Sequence, residues 1–166
     1  MKVYLVDYIG MHCGMHYYND AFCRVLSAVP GLDVSVLSNY AGENDGRPFF
    51  LHQYKGNRLR KICCLLRNYL MLFCFVLRNK KACFVYLAYG NSIDLPFMYI
   101  VSLAKKSIID IHEAIAQNAD DNIGLKRCFR KVYSDRFATV IVHSQRTNDL
   151  LEEYGYRGNR LFVPHF

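Results

Sequence analysis

The sequence predicts an α/β protein with a doubly wound, mainly parallel sheet and helices on both faces. Short apolar segments rich in β-branched and aromatic residues alternate with longer segments of helical periodicity along the 166-residue chain. The short segments are apolar on both sides, which is typical of parallel strands buried between layers of helices. No repeat and no Pro/Gly/Ser-rich linker divides the chain, so we expect a single domain over residues 1–166.

Seven segments have the composition of β-strands. The first alternates and is rich in β-formers, and the others are compact runs bounded by turn residues. In parallel sheets the carboxyl ends of the strands form one rim, where ligands bind. In chain order, the predicted strands are Lys2–Asp7, Asp33–Leu37, Phe49–Tyr54, Cys83–Ala88, Ser107–His112, Thr139–His143 and Arg160–Val163.

Five segments between these strands have helical spacing. A Pro-Gly pair stops the first helix, and the third carries a proline where its first turn tolerates one. Ser144 is a good N-cap for the last. The predicted helices are Tyr17–Val29, Leu59–Asn79, Asp94–Ala104, Gly124–Phe137 and the segment from Ser144 to Tyr154.

Composition favours a cytoplasmic protein. Seven cysteines lie mostly in apolar runs and form no Cys-x-x-Cys pair, which predicts a reducing compartment and argues against zinc or thioredoxin-type sites. The chain opens without a secretory signal. The longest apolar window, Ile62–Leu77, is broken by Arg67 and Asn68 and is too short to span a membrane.

The positive charge is concentrated in one segment. Between Arg47 and Ile93 there are nine Lys or Arg and no Asp or Glu, whereas the rest of the chain holds 12 basic and 14 acidic residues. The positive electrostatic potential that these residues create favours an anionic partner. The basic residues are Arg47 and the eight that we assign to an anionic or membrane surface, Lys55, Arg58, Arg60, Lys61, Arg67, Arg78, Lys80 and Lys81.

On a helical wheel, Arg60, Arg67 and Arg78 fall within about 20° of one another and form one stripe. Apolar residues next to this stripe suit the surface of an anionic bilayer, where each basic residue contributes about 1 kcal/mol. An equally weighted alternative is a core-packed helix with a solvated arginine stripe. No recognition motif supports nucleic-acid binding.

The loop after the first strand is a candidate phosphate site. It contains Gly14, Met15 and His16 and leads into a helix, whose first turn offers free N–H groups to an anion. The alternative is a plain turn that uses glycine for its geometry. Neither the dinucleotide fingerprint nor a P-loop is present.

Polar residues also end two later strands. Alternation places Asp110 and His112 on one side of their strand, where the histidine could bond a hydroxyl or a developing charge on a sugar. The alternative is a polar strand end that caps the next helix. His143 and Ser144 end the following strand on the same rim, and we expect Ser144 to act mainly as a cap.

Three stretches resemble a known family. The segment Thr139–Ser144, the Leu150–Gly155 helix end and the strand running into Pro164-His165 are similar to the end of the N-terminal domain in retaining glycosyltransferases of the GT-B fold, particularly family 4. The segment Asp110–Glu113 resembles the family's His-Asp or His-Glu strand end. The Gly14-Met15 loop resembles the glycine pair that opens the family's first helix. Two departures are Met15, in place of the second glycine of that pair, and Phe166, in place of the glycine after Pro-His.

The resemblance implies that this chain is the Rossmann-like, acceptor-side N-terminal half of a metal-independent enzyme. The C-terminal nucleotide-sugar domain of that enzyme would be absent here, and this half would be inactive by itself. His112 would be the catalytic contact at the reacting sugar, Gly14 would lie near the donor phosphates, and Asp110 and Glu113 would orient or cap. No cofactor is implied besides the nucleotide-sugar substrate. The acceptor would be a sugar or a lipid-linked sugar, and the basic segment would make a peripheral membrane contact.

Two alternatives remain open. One is a non-enzymatic α/β module that binds an anionic membrane or a protein partner through the basic helix. The other is a different α/β enzyme complete within 166 residues, such as a small nucleotide-binding hydrolase, although the sequence has no nucleophile elbow, P-loop or metal cluster.

Overall fold

The computed structural model describes residues 1–12, 15–41, 47–53, 55–112 and 122–164. Their strands form one six-stranded sheet, in the order β2-β1-β3-β4-β5-β6, and every neighbouring pair is parallel. The strands are β1 (Lys2–Asp7), β2 (Asp33–Ser38), β3 (Cys83–Ala88), β4 (Lys106–Ile111), β5 (Thr139–Val142) and β6 (Asn159–Phe162). The helices are α1 (Met15–Ser27), α2 (Arg58–Arg78), α3 (Asp94–Val101), α4 (Ile123–Arg136) and α5 (Gln145–Glu153).

The predicted α/β class with helices on both faces is confirmed. Helix α1 leads outward from β1 to β2, and α2 leads back across β1 to β3, so the strand order reverses between β1 and β3. On one face, Leu5 and Val85 pack with Phe22 of α1. On the other face, the core contains buried residues of all the remaining labelled helices, including Leu72, Phe97, Phe129 and Leu151.

The predicted strand at Phe49–Tyr54 is wrong. Residues 47–53 contain no strand, and Tyr54 lies outside the described residues. The Asn68 side chain of α2 instead accepts from the Leu51 N–H at 2.9 Å and donates to the Leu51 carbonyl at 3.0 Å. Phe50 is buried against Phe97. The apolar pattern here therefore reflects aromatic side chains that enter the core and not strand pairing.

Two strand ends that matter for the site lie one residue earlier than predicted. Strand β4 ends at Ile111 and β5 at Val142, and these two residues are partners in the parallel register. His112 and His143 are consequently the first residues beyond two adjacent strands. This register makes them neighbours on the rim of the sheet.

None of the described helices combines the length and the apolar character that crossing a bilayer requires.

Candidate active site

A row of polar side chains lies along the carboxyl rim on the face that α1 covers. Asp7, Tyr89, His112 and His143 come from the ends of β1, β3, β4 and β5, which are neighbours in the sheet. Side chains two residues apart on a strand point to the same face of the sheet. Each of these four side chains therefore lies on the same face as the residue two positions before it. The fold thus brings four distant sequence positions to one edge.

Asp110, in β4, lies beside the two histidines of this row. Its carboxylate is fully buried, and its Oδ1 lies 2.5 Å from Nε2 of His143 and 3.8 Å from Nε2 of His112. Its Oδ2 accepts a hydrogen bond of 2.7 Å from the hydroxyl of Tyr18, on α1. One carboxylate therefore faces two imidazoles and a phenol.

The ring of His112 is held between two other rings. It stacks on His143 at a centroid distance of 4.8 Å and on Tyr89 at 5.9 Å, with interplanar angles of 26° and 16°. Tyr18 approaches edge-on at 4.7 Å and 90°. The backbone N–H of His112 donates to the Ala88 carbonyl at 3.0 Å, which fixes its main chain as well. Its side chain is 10% exposed, so the ring reaches the surface in a set orientation.

The loop after β1 is anchored by Asp7. Its Oδ1 accepts from the N–H groups of Ile9 and Gly10 at 2.9 and 3.0 Å, and from the Tyr89 hydroxyl at 2.8 Å. Gly10 has φ +45°, and a Cβ there would lie 2.4 Å from the Ser38 hydroxyl oxygen. Only glycine fits this close approach to β2.

The loop after β3 is anchored by Asp94 in the same way. This buried carboxylate accepts from the Tyr86 hydroxyl at 2.7 Å and from the N–H groups of Tyr89 and Asn91 at 3.0 Å each. Burial raises the pKa of Asp94 to about 6, although these hydrogen bonds act in the opposite direction. Tyr89 is thereby fixed both at its backbone and at its hydroxyl.

Charge interactions change the pKa of two groups around Asp110. Burial by itself lowers the pKa of His143, but the hydrogen bond and charge of Asp110 and the Val163 carbonyl outweigh it, so the pKa lies above 6.5. Burial, followed by the charge of Asp110, raises the pKa of Tyr18 far above its ordinary value. Tyr18 therefore remains a protonated donor throughout the usual pH range.

Asp110, His112 and His143 are residue types that also bind metals, and they offer one atom each within 4.8 Å of the others. Two atoms bound to one metal ion lie about 3 Å apart or more, given metal–ligand bonds of about 2.0–2.2 Å. Asp110 Oδ1 and His143 Nε2 are 2.5 Å apart, which is a hydrogen-bond distance. In this structure the three residues are an acid–imidazole cluster.

The remaining predicted rim residues have separate surroundings. Met15 is the first residue of α1 and is half-buried, and the His16 ring contacts Tyr17 and Tyr40 at centroid distances of 3.9 and 6.0 Å. Ser144 caps α5 by accepting from the Thr147 N–H at 3.1 Å, so the predicted cap is confirmed. Gly14 and Glu113 lie outside the described residues.

Three residues around this cluster were not singled out from the sequence, namely Asp7, Tyr18 and Tyr89. Asp7 and Tyr89 obey the rule that already pointed to His112, because each lies at or just after the carboxyl end of a strand. Tyr18 carries no such signal. Its contact with Asp110 joins residues 92 positions apart and arises only when α1 packs on the sheet.

The outer surface of α2 carries basic and apolar residues together. All eight basic residues assigned to this surface are exposed. Apolar residues at intervals of three or four positions are exposed as well, opposite the buried face formed by Cys64, Asn68, Leu72 and Val76. We call these six residues the α2 apolar row: Leu59, Ile62, Leu66, Leu70, Phe73 and Leu77, which are 38–70% exposed.

No protein-family model matches this chain, and no curated protein matches it.

Proposed function

We propose that this chain is the acceptor-side N-terminal domain of a retaining, nucleotide-sugar-dependent glycosyltransferase of the hexosyltransferase type. It acts in the cytoplasm, in the synthesis of a cell-envelope or surface polysaccharide. The observation that carries this proposal is the cluster of Asp110, His112 and His143 on the carboxyl rim of a parallel sheet, next to its topological switch point.

The cluster supports transfer between sugars through hydrogen bonding. Glycosyl transfer requires a sugar hydroxyl to be held in position while charge develops at the reacting centre. The side chain of His112 is 10% exposed, and the orientation of its ring is fixed by Tyr89 and His143. No cofactor is needed for this role, since the activated bond is already present in the nucleotide sugar.

Transfer by the full-length protein tests the proposal. The protein is incubated with a panel of nucleotide sugars, with lipid-linked and free sugar acceptors, and with EDTA. We expect transfer from one donor, EDTA resistance, and a product that retains the anomeric configuration of the donor. Absence of transfer and of donor hydrolysis across the panel would contradict the proposal.

A second function, docking on an anionic membrane, is favoured by the α2 apolar row. Leu66 and Leu70 are 61% and 63% exposed, and Arg60 and Arg67 lie beside the row on the same helix. An exposed apolar row flanked by arginines matches the interface of an anionic bilayer, where apolar side chains insert and cations bind headgroups. The contact is peripheral and would hold the protein on the inner face of the membrane, near a lipid-linked acceptor.

Sedimentation with vesicles measures this docking. We expect Leu66→Ser/Leu70→Ser to lower partitioning to anionic vesicles at least tenfold, because each leucine loses apolar surface that the bilayer would cover. Arg60→Glu/Arg67→Glu should lower binding to anionic vesicles and leave binding to neutral ones unchanged. The matched control, Arg127→Glu/Lys131→Glu, reverses two exposed charges on α4. Equal loss in the control, or no loss in the α2 variants, would contradict docking through α2.

A further inference from the structure

We propose that a cleft between α4 and the turn that follows α5 binds the phosphate groups of a small soluble compound. The cleft has a volume of about 570 Å³, which is within the range of small-molecule sites. Helices α4 and α5 both run from the carboxyl rim towards the amino edge of the sheet, and the turn after α5 leads into β6 at that edge. The cleft is therefore separate from the site that contains His112, and it does not rest on the proposed function.

Cationic side chains line the cleft from both of its elements. Arg127, Arg130 and Lys131 belong to α4, and Arg157 follows α5. The three residues of α4 lie next to each other on one face of the helix, because side chains three or four positions apart are neighbours. Among the described lining residues, Asp135 is the one acid. The described lining thus has an excess of positive charge.

The stability of α4 by itself does not account for the position of these cations. Cations stabilise a helix in its last turn, near the negative end of the helix dipole. Arg127, Arg130 and Lys131 precede the last turn of α4, which ends at Arg136. Like charges three or four positions apart destabilise a helix, and a bound anion would reduce that repulsion.

One guanidinium in the cleft is held in position by the end of α5. The turn there is closed by Gly155, which has φ +70° and whose N–H donates to the Glu152 carbonyl at 2.8 Å. The Tyr154 carbonyl in this turn accepts from Nε of Arg130 at 3.2 Å and from the Ser134 hydroxyl at 3.4 Å. A guanidinium has five N–H donors, so this contact fixes the group while using one of them.

The lining suits phosphate better than it suits other small ligands. Guanidinium groups make paired hydrogen bonds to phosphate oxygens, and arginines are present on both elements of the cleft. One phosphate monoester carries a charge of about −1.5 to −2 at pH 7. Four cations exceed what one such group neutralises, so we expect a ligand with two phosphate groups, such as a diphosphate.

Nitrogen-15 NMR of the full-length protein labelled at arginine tests the proposal, with inorganic pyrophosphate as the probe. The titration is made at about 0.15 M salt, where charges are screened beyond about 8 Å. We expect the side-chain N–H signals of Arg127, Arg130 and Arg157 to shift together and to saturate with one dissociation constant. The signals of Arg60 and Arg67, which are exposed on α2, should not move. Absence of saturable shifts, or equal shifts at all arginines, would overturn the proposal.

Two variants with the same change in net charge locate the binding. Arg127→Glu/Lys131→Glu should lower the affinity for pyrophosphate, read at the Arg157 signal, at least tenfold, because attraction is replaced by repulsion. The matched control Arg60→Glu/Arg67→Glu should keep the affinity within about twofold, because α2 is beyond the screening length. Equal losses in the two variants would contradict binding in the cleft. If the variants failed to fold, the titration of the unaltered protein would still decide.

Sedimentation with anionic vesicles distinguishes a soluble ligand from a lipid headgroup, which carries the same phosphate chemistry. We expect Arg127→Glu/Lys131→Glu to bind these vesicles as the unaltered protein does. A loss of vesicle binding in this variant would assign the cleft to a headgroup and overturn the proposal of a soluble ligand. None of these measurements depends on transfer activity, so their failure is distinct from failure of the transfer assay.

Discussion

Asp110→Ala is expected to lower the free energy of unfolding by about 2–5 kcal/mol at pH 7, because Nε2 of His143 loses its buried partner, and each buried polar group left without its hydrogen bond costs about 1–3 kcal/mol. The loss also removes the acceptor of the Tyr18 hydroxyl, which would then be buried without that hydrogen bond. Urea unfolding followed by circular dichroism measures this change. The exposed Asp135→Ala on α4 is the matched control and should stay within about 0.5 kcal/mol of the unaltered protein.

A double-mutant cycle separates the Asp110–His143 pair from the cavity that alanine leaves. His143→Ala and the double variant complete the cycle, and the coupling energy isolates the pairwise contribution. A coupling energy below about 0.5 kcal/mol would mean that the two side chains contribute to stability independently and would contradict the pair.

The same pair gives stability a defined pH dependence. The folded-state pKa of His143 is raised above 6.5, so the folded protein binds its proton more tightly than the unfolded chain. The resulting stabilisation is fully present below pH 6.5 and is lost as the pH rises through the folded-state value. Asp110→Ala should remove this dependence. Urea unfolding at pH 6 and pH 9 compares the two proteins.

His112→Ala is expected to lower kcat for sugar transfer by about 100- to 1000-fold, the usual effect of removing one group that stabilises developing charge. Its effect on KM should be smaller, since the contact strengthens in the transition state. Steady-state kinetics of the full-length protein, with the donor that supports transfer, measures both constants.

The conservative variant His112→Gln distinguishes hydrogen bonding from ring packing. A glutamine amide can donate and accept, so it should recover part of the activity that alanine loses. His52→Ala, at a half-buried position outside the cluster, should leave kcat unchanged. Unchanged turnover in His112→Ala would remove this residue from the reaction centre.

Much of the fold follows from local patterns in the sequence. Each strand from β1 to β6 was predicted within one residue at each end, because parallel buried strands are apolar on both faces and are bounded by turn residues. The failure at Phe49–Tyr54 has a tertiary cause. Asn68 of α2 supplies the hydrogen bonds that a strand partner would have made, and no local pattern encodes that contact.

The site was predictable only in part. The strand-end rule led to Asp110, His112 and His143, but their mutual distances depend on the register between β4 and β5, which sequence spacing does not specify. The sequence also does not show that the α2 apolar row is exposed. Apolar residues surround that helix, and only packing against the sheet reveals which of them remain in solvent.

The imidazole rings of His112 and His143 are separated by 4.8 Å, which is the ordinary spacing between neighbouring strands. The spacing of the sheet thus sets the distance between these two rings. A shift of β5 by one residue against β4 would leave the interior of the protein mostly apolar. It would, however, turn the ring of His143 to the opposite face of the sheet and away from Asp110. Such molecules would be folded but would lack the contact between Asp110 and His143, so the proposed function would depend on the strand register as well as on folding.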